Sequence, residues 1–351
     1  MRISDGGRSL RLSIIVPVYN MASDGKLKYC LDSLIAQTME DYEIIAVDDA
    51  STDASPRILK EYEKQYPDRF VAMFLETNHR QGGAKNAALK VCRGEYVGFV
   101  DSDDWMAPDA YEKLYQLALK TDADIAGCDL CHVHEHVMVP TQRIPSMDAR
   151  NAGLLTPEKR EGLILQFGAL VTKIYRREIF REPEIYFPEH AFYEDNAIYV
   201  ELIMRAKRIA YLEEPLYFYY QHDTSTVHSV SEERCRDRMN AMRIMLRMAK
   251  ENGYFETYRE TLECKFAELF YRNTLFSYMQ GVKEKKLSFV KELGKEMREE
   301  FPEFLKNPLF LGFCDGEEIK MMELQQKNTL AFYLYYQMLW TYRKIRRPQG
   351  K

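Results

Sequence analysis

Short apolar runs alternate with amphipathic stretches over the first hundred residues. The runs are rich in Val, Ile and Phe and end in polar residues, as expected of strands buried on both faces of a parallel sheet. Four runs predict strands, at 12–20, 42–51, 69–76 and the apolar half of 94–106. The stretches between them predict helices at 27–35, from Ser55 to near Pro67, and at 82–92. In the second of these helices Ser55 is the predicted N-cap, and Pro56 suits the first turn. This alternation predicts a Rossmann-like, doubly wound, mostly parallel α/β sheet.

The pattern changes after about residue 121. A further strand-like run at 123–139 is followed by a connector rich in turn formers, and from about Ser231 onward helix-favouring residues dominate. A chain of 351 residues is long enough for one domain of catalytic size and an appendage. We therefore predict an α/β domain at 1–229 and a helical C-terminal domain at 230–351.

Charge and composition exclude several classes of protein. A formal net charge of −5 and a pI near 5.9 argue against nucleic-acid binding, which needs a concentrated basic surface. The sequence contains neither an apolar signal-peptide core nor the run of about 18 apolar residues that would span a bilayer. Seven scattered cysteines do not resemble a disulfide framework. We therefore expect a cytoplasmic protein.

Carboxylates follow two of the predicted strands. Asp48 and Asp49 close the second strand, and Asp101 and Asp103 follow the fourth. In doubly wound sheets ligands bind beyond the carboxyl ends of the strands, so we expect both pairs to face one crevice. Their mutual repulsion is costly there unless a cation or hydrogen-bond donors compensate it.

The spacing of Asp101 and Asp103 suits a hard divalent cation, because Mg²⁺ and Mn²⁺ prefer carboxylate oxygens as ligands. The alternative is a solvated acidic turn before the helix that starts near Pro108. We assign Asp104 to the entry of that helix and expect only Asp101 and Asp103 to face a ligand.

Several motifs in order resemble those of one family of enzymes. They are "SIIVPVYN", "EIIAVDDASTDAS", "NHRQGGAKNAAL", "GEYVGFVDSDDW", "LVTKIYRREIF", "FYEDNAIYVELI" and "YFYYQHDTSTVHS". The chain thereby resembles family-2 glycosyltransferases of the GT-A fold over roughly its first two thirds. The resemblance implies transfer of a sugar with inversion from a nucleotide-sugar, usually a UDP-sugar, to a glycan or lipid-linked acceptor in bacterial polysaccharide assembly.

The resemblance also implies roles for single residues. The donor-binding residues would be Pro17, Val18, Tyr19, Asn20, Asp48, Lys85, Asp101 and Ser102. A divalent metal, Mn²⁺ or Mg²⁺, would be held mainly by Asp103, with Asp101 and His222. Such an ion would neutralise the charge that develops on the diphosphate leaving group.

Glu194 and Asp195 lie where the family carries its catalytic base. We choose Asp195 as the base that takes the acceptor proton, with Glu194 raising the pKa of Asp195 or holding acceptor hydroxyls. The alternative is an acidic N-terminus for the helix that follows.

Two positions depart from the family pattern. Lys85 stands where the family often has Arg, which keeps the charge but loses the bidentate fork. Tyr220 stands where the family often carries another Arg. His222 is retained, and it either contacts the metal or diphosphate or is structural.

A segment of cysteines and histidines invites a zinc interpretation; its residues are Cys128, Cys131, His132, His134 and His136. The segment is typical of a strand, in which the three histidines share one face and Cys131 points away. A distant second ligand pair is not obvious either. We favour ordinary strand packing.

The C-terminal segment predicts an aromatic helix that ends in a basic cluster, namely Arg343, Lys344, Arg346 and Arg347. Such a helix lies on an anionic membrane, here the inner face of the cell membrane, or it packs on the catalytic domain or another subunit.

The leading hypothesis is therefore an inverting, metal-dependent glycosyltransferase, in which the helical C-terminal domain completes the acceptor side or mediates association. One rival is a non-catalytic nucleotide-sugar or glycan-binding module of the same fold. A second rival is a nucleotidyltransferase, but "PVYNMASDGK" has a single Gly where that class carries a Gly-rich basic loop.

Overall fold

The computed structural model describes residues 10–136, 142–166, 168–181, 183–221 and 230–346. The chain divides into two compact units, Met1–Asp223 and Thr224–Lys351. The first unit is built on a mixed sheet with helices, and the second is helical.

The described strands of the first unit form one ten-stranded sheet. The strands are β1 (Leu12–Val18), β2 (Tyr42–Asp48), β3 (Phe70–Phe74), β4 (Tyr96–Phe99), β5 (Trp105–Met106), β6 (Ile125–Val133), β7 (Arg143–Ile144), β8 (Gly153–Leu154), β9 (Lys173–Arg176) and β10 (Arg208–Tyr220). Their order is β3-β2-β1-β4-β9-β6-β10-β5, with β7 beside β6 and β8 beside β10. The predicted doubly wound, mostly parallel α/β sheet is confirmed.

The first four strands are parallel to one another, and β9 enters the sheet antiparallel between β4 and β6. Every residue of β1, β2 and β4 is buried, which explains why these strands are near-continuous apolar runs. The strand β3 lies at the edge of the sheet and is only partly buried.

Helices connect and cover the strands of the first unit. They are α1 (Lys26–Ile35), α2 (Ser55–Gln65), α3 (Arg80–Val91), α4 (Ala110–Thr121), α5 (Pro157–Ile164) and α6 (Glu194–Arg205). The buried stripe of α1 contains Leu27, Leu31 and Leu34, as the helical spacing predicts. The predicted N-cap of α2 is wrong by one residue, because Ala54 is the N-cap and Ser55 is already helical.

A polar network ties the amino-terminal edge of the sheet together. Glu43, only 2% exposed, accepts hydrogen bonds from the Ser13 hydroxyl (2.7 Å) and the Arg93 backbone N–H (2.7 Å). The Ser13 hydroxyl in turn accepts from the Gly94 N–H at 2.8 Å. One carboxylate thereby links β1, β2 and the turn before β4, on the edge opposite the acidic strand ends.

The second unit consists of helices. They are α7 (Glu232–Glu251), α8 (Arg259–Phe266), a π-helical segment (Ala267–Asn273), α9 (Thr274–Gly281), α10 (Leu287–Glu300), α11 (Pro308–Gly312), α12 (Gly316–Lys327) and α13 (Thr329–Arg346). The fully buried Gln325 of α12 donates to the Val290 carbonyl (3.0 Å) and accepts from the Tyr271 hydroxyl (2.5 Å). Gly294 makes room for this amide, since a Cβ there would lie 2.1 Å from its nitrogen.

The C-terminal helix α13 has two faces. Phe332 and Tyr336 are buried against the other helices of the unit, whereas Leu334 and Met338 are exposed. Arg343 of the predicted basic cluster pairs with Glu317 at 2.6 Å, and the side chains of the remaining basic residues lie outside the described part.

Of the helices that the structure describes, none has the length and apolar character needed to cross a bilayer. Membrane contact and association with another subunit stay predictions.

We expect Glu43→Ala to lower the free energy of unfolding by about 2–4 kcal/mol, because the buried Ser13 hydroxyl loses its acceptor and the Arg93 N–H keeps only its longer bond to Ser13 Oγ at 3.2 Å. Urea denaturation of the full chain measures this loss. The matched control is Arg93→Ala, which removes the exposed half of the same ion pair (side chain 65% exposed) and should cost about 0–1 kcal/mol. Equal losses in the two variants would contradict the central role of the carboxylate.

Candidate active site

The carboxyl edge of the sheet brings the predicted acidic strand ends together. The strand β1 lies between β2 and β4, and its last residue, Val18, is the register partner of Asp48. On the other side, the Val100 N–H donates to the Ile15 carbonyl at 3.0 Å, just before the acidic turn begins. The two acidic strand ends therefore flank the end of β1.

The first side of this edge is formed by the ends of β1 and β2. Pro17 and Val18 are buried in β1, and Tyr19, 47% exposed, opens toward solvent. Asn20 has a left-handed backbone (φ 51°), which Asn tolerates better than most residues. Its side-chain oxygen accepts from the Thr52 N–H at 2.8 Å, which joins the loops after the two strands.

Asp48 is buried at the end of β2. Its Oδ2 accepts from the Ser51 N–H at 3.1 Å, whereas its Oδ1 is buried and has no hydrogen-bond partner among the residues that the structure describes. An unsatisfied buried carboxylate oxygen is costly, and native structures seldom keep one without a functional reason. Asp48 therefore offers an acceptor for the N–H group of a ligand.

The second side is the acidic turn after β4, which contains Asp101, Ser102 and Asp103. Ser102 is buried, and the two aspartates are half-buried. Burial, against the opposing effect of Lys85 and together with the carboxylate of Asp103, raises the pKa of Asp101 to about 7. The turn concentrates more negative charge than its neighbours balance.

Asp104 does not belong to the entry of α4, and its predicted role there is wrong. Its side chain is 1% exposed and accepts from the Tyr217 hydroxyl (2.5 Å) and the Tyr220 N–H (2.8 Å), both on β10. Asp104 thereby fastens the acidic turn to the longest strand of the sheet. Tyr220 is one of the two positions that depart from the family pattern, and its backbone N–H makes the second of these hydrogen bonds.

Lys85 on α3 and Glu194 at the start of α6 form a buried ion pair. Their Nζ and Oε1 atoms lie 2.6 Å apart, and both side chains are less than 10% exposed. Burial lowers the pKa of Lys85, but Glu194, Asp101 and Asp195 outweigh this effect and raise it above its usual value. The lysine charge is therefore shared among three carboxylates from two segments, the acidic turn and the first turn of α6.

Asp195 lies next to this pair on the first turn of α6. Its Oδ1 accepts from the backbone N–H (2.7 Å) and side-chain amide (3.1 Å) of Asn196. Burial and the neighbouring Glu194 raise the pKa of Asp195 to about 6, against the opposing effect of Lys85. A carboxylate with this pKa is ionised at neutral pH and basic enough to accept a proton.

Two residues of α3 position the segment before α6, and the sequence analysis did not identify either as a site residue. The amide of Asn86 donates to the Phe187 carbonyl (2.9 Å) and to Glu189 Oε1 (3.0 Å), and accepts from the Phe187 N–H (2.9 Å). Gly82 allows the close approach, because a Cβ there would lie 2.0 Å from the carbonyl oxygen of Pro188. The only sequence signal was the pair of glycines and the Asn in "GGAKN".

Two other predicted metal features have different outcomes. His222 lies outside the residues that the structure describes, so its metal role stays a prediction. In the segment that invited a zinc interpretation, Cys128 and Cys131 are buried, whereas His132 and His134 are exposed. Among the described residues of that segment, no three side chains come within reach of one ion.

The fold and the site together are typical of GT-A glycosyltransferases. The relevant features are the mostly parallel α/β sheet, the acidic turn after β4 and the carboxylate pair at the start of α6. Residues 13–182 match the model of the family described as glycosyl transferase family 2. A Bacillus subtilis relative, the putative glycosyltransferase EpsH, is 30% identical over 263 residues, which cover 72% of this chain and 73% of the relative. The chain belongs to glycosyltransferase family 2, and the predicted family and enzyme class are confirmed.

A further relative is the uncharacterized glycosyltransferase YibD of Escherichia coli, 36% identical over 219 residues that cover 61% of this chain. The match spans 62% of the length of YibD, and it spans the same share of EpsJ from Bacillus subtilis. Among solved structures, Staphylococcus aureus TarS 1–349 in complex with UDP-GlcNAc superposes with a TM-score of 0.71 and 23% identity, over 95% of this chain and 92% of that one. This likeness confirms the predicted GT-A fold together with a helical C-terminal region.

We expect Gly82→Ala to destabilise the protein by about 1–3 kcal/mol, because the added methyl group must displace the backbone at Pro188. The displaced segment leads to Glu194 and Asp195, so turnover should fall as well. The matched control is Gly316→Ala, since a Cβ at Gly316 meets nothing within 4 Å. Denaturation midpoints that are the same for both variants would contradict this account of α3.

Proposed function

We propose that the protein transfers a sugar from a nucleotide-sugar, a UDP-sugar by preference, to a hydroxyl group of a glycan or lipid-linked acceptor with inversion. One observation carries the proposal: Lys85 and the acidic turn, both more than 90 residues before Glu194 in the sequence, form one cluster of interacting charges with Glu194 and Asp195. Membership of the family supports the reaction class. The structure of TarS with UDP-GlcNAc and a related poly(ribitol-phosphate) β-glucosyltransferase support the donor and acceptor classes.

The ends of β1 and β2 are proposed to bind the nucleoside. The buried acceptor Oδ1 of Asp48 suits the ring N–H of a uracil, and the exposed Tyr19 provides an aromatic surface beside it. Pro17, Val18 and Asn20 would shape the floor and rim of this pocket. Asp101 and Ser102 would contact the sugar and phosphate portion of the donor.

A divalent cation is proposed at the acidic turn, and the residues present fit it. Asp101 and Asp103 offer the carboxylate oxygens that Mg²⁺ and Mn²⁺ prefer, and the raised pKa of Asp101 indicates negative charge that a cation would compensate. His222 is the third proposed ligand. When bound, such an ion would neutralise negative charge on the diphosphate leaving group.

Asp195 is proposed as the general base. It would accept the proton of the acceptor hydroxyl as that oxygen attacks the anomeric carbon from the face opposite the leaving diphosphate, which inverts the configuration. Its pKa of about 6 keeps it ionised at neutral pH. Glu194 is held by Lys85, so it positions the first turn of α6 and lines the acceptor side.

A non-catalytic binding module of the same fold is the competing function. Such a module needs the nucleotide pocket but has no use for a carboxylate with a raised pKa beside a buried Lys–Glu pair, and buried charges of this kind are costly to keep. Release of nucleoside diphosphate from a panel of UDP-sugars, with and without Mn²⁺, tests the choice. Donor binding without turnover under all conditions would favour the module.

We expect Asp103→Ala to lower Mn²⁺-dependent turnover by about 10³-fold or more, since a metal contributes several kcal/mol of charge stabilisation. Initial rates over a Mn²⁺ titration provide the measurement. Asp109→Ala is the control, because Asp109 is an acidic residue outside the turn that pairs with Lys113. Wild-type Mn²⁺ dependence in Asp103→Ala would refute the assignment of the ion to this turn.

We expect Asp195→Asn to lower turnover by about 10²–10⁴-fold with donor binding intact, because the amide cannot accept the proton. In the wild type, a base with a pKa of about 6 should make kcat/KM rise with pH up to about pH 6 and level off above it.

This acidic limb of the pH profile should disappear in Asp195→Asn and persist in the control Glu201→Gln, which alters the ion pair with Arg205 farther along α6. Equilibrium binding of the UDP-sugar checks that the donor pocket is intact. An Asp195→Asn variant that transfers sugar at the wild-type rate would remove Asp195 from the role of base.

A further inference from the structure

Two histidines and a glutamate come together beside the proposed donor pocket, and the proposed mechanism gives none of them a role. They are His79, just before α3, and Glu189 and His190, in the segment before α6. Each offers one ligand atom, and these atoms lie within 4.8 Å of one another. We propose that this cluster, termed the His–Glu–His cluster, is a second metal site that binds Zn²⁺ and differs from the acidic turn in its choice of ion.

Each histidine is oriented by a hydrogen bond on its other ring nitrogen. His190 Nδ1 lies 3.1 Å from the Asn78 carbonyl oxygen, and a carbonyl only accepts, so Nδ1 carries the proton and Nε2 keeps its lone pair for a metal. His79 Nε2 lies 2.9 Å from the Thr77 hydroxyl, which leaves Nδ1 as its ligand atom. Metal-binding histidines in proteins are held in this way by outer-shell partners.

The carboxylate of the cluster is oriented as well. Glu189 Oε1 accepts from the buried Asn86 amide at 3.0 Å, and Oε2 lies 3.0 Å from His79 Nδ1. The hydrogen bond from Asn86, together with His79, holds the pKa of Glu189 below its usual value, so the group is ionised at neutral pH. Zn²⁺ would occupy the position between His79 Nδ1 and Glu189 Oε2, and the neutral imidazole would then carry its single proton on Nε2, where the Thr77 hydroxyl oxygen accepts it.

The backbone presents these residues in a fixed arrangement. The His190 N–H donates to the His79 carbonyl at 2.9 Å, and the His79 N–H donates to Asp49 Oδ1 at 2.7 Å. His190 has a left-handed backbone (φ 56°), a conformation that is uncommon for a non-glycine residue and is often found at functional positions. The side chains of Glu189 and His190 are exposed, so they can close around an ion.

The donor set determines which ion the cluster takes. Two imidazoles and one carboxylate suit Zn²⁺, with one position left for water, whereas Mg²⁺ prefers oxygen ligands alone. The acidic turn offers only carboxylates among its described ligands and so favours the harder ions. A zinc ion in the cluster would join the loop between β3 and α3 to the segment that leads to Glu194 and Asp195.

Calorimetric titration of the full chain with Zn²⁺, without any nucleotide-sugar, tests the proposal. All proteins carry Asp103→Ala so that the acidic turn does not compete for the ion. We expect one Zn²⁺ per chain, and an affinity that is weaker by about 100-fold or more in His190→Asn and in Glu189→Gln, since loss of an outer-shell partner alone costs roughly 10- to 100-fold. Asn is chosen because it tolerates the left-handed backbone of His190.

His134→Asn serves as the control, because His134 is an exposed histidine in the segment that invited the zinc interpretation. This variant should bind Zn²⁺ as the parent does, and Mg²⁺ should give no titration at the cluster. Thermal unfolding in EDTA verifies that each variant is folded, and added Zn²⁺ should raise the Tm of the parent but not of His190→Asn. The proposal is overturned if the parent binds no Zn²⁺, or if both cluster variants bind it with parental affinity.

Discussion

The ion pair between Lys85 and Glu194 is the interaction on which the rest of the site depends. It joins α3 to α6 across 109 residues of sequence and lies almost entirely out of water. Either charge alone would be strongly destabilising in that position, whereas the pair compensates both. The contact is tight because Gly82 lets α3 approach the segment before α6 and because Asn86 binds the backbone of that segment. Disturbance of α3 is therefore transmitted directly to Glu194 and Asp195.

One lysine does not balance the surrounding carboxylates. Asp101, Asp103 and Asp195 add to Glu194, and the pKa values of Asp101 and Asp195 are raised to about 7 and about 6 as a result of burial and mutual repulsion. An excess of buried negative charge lowers the stability of the folded protein when no ligand compensates it. Such an excess is typical of sites that accept a proton or a cation. The proposed base and the proposed metal site are two consequences of the same charge imbalance.

The amino-terminal and carboxyl ends of the parallel strands differ in whether their buried polar groups are satisfied. At the amino-terminal edge, Glu43 satisfies the hydroxyl of Ser13 and a backbone donor of Arg93 in a closed network that leaves little for a ligand. At the carboxyl edge, Asp48 keeps an acceptor without a partner among the described residues. Satisfied groups stabilise the fold, and unsatisfied groups at the opposite edge remain available for binding.

Periodicity determined the strands and helices of the first hundred residues to within a few residues, because burial on both faces of a parallel sheet requires continuous apolar runs. The motifs, and the order in which they follow one another along the chain, likewise indicated the family and its acidic residues. Only the tertiary structure decided how these residues pair. Asp104 binds β10 instead of entering α4, Asn86 holds a segment about 100 residues away, and His79 meets His190. The reason is physical. These contacts form between residues that are far apart in the sequence and close together in the fold, whereas sequence patterns report only local spacing and burial.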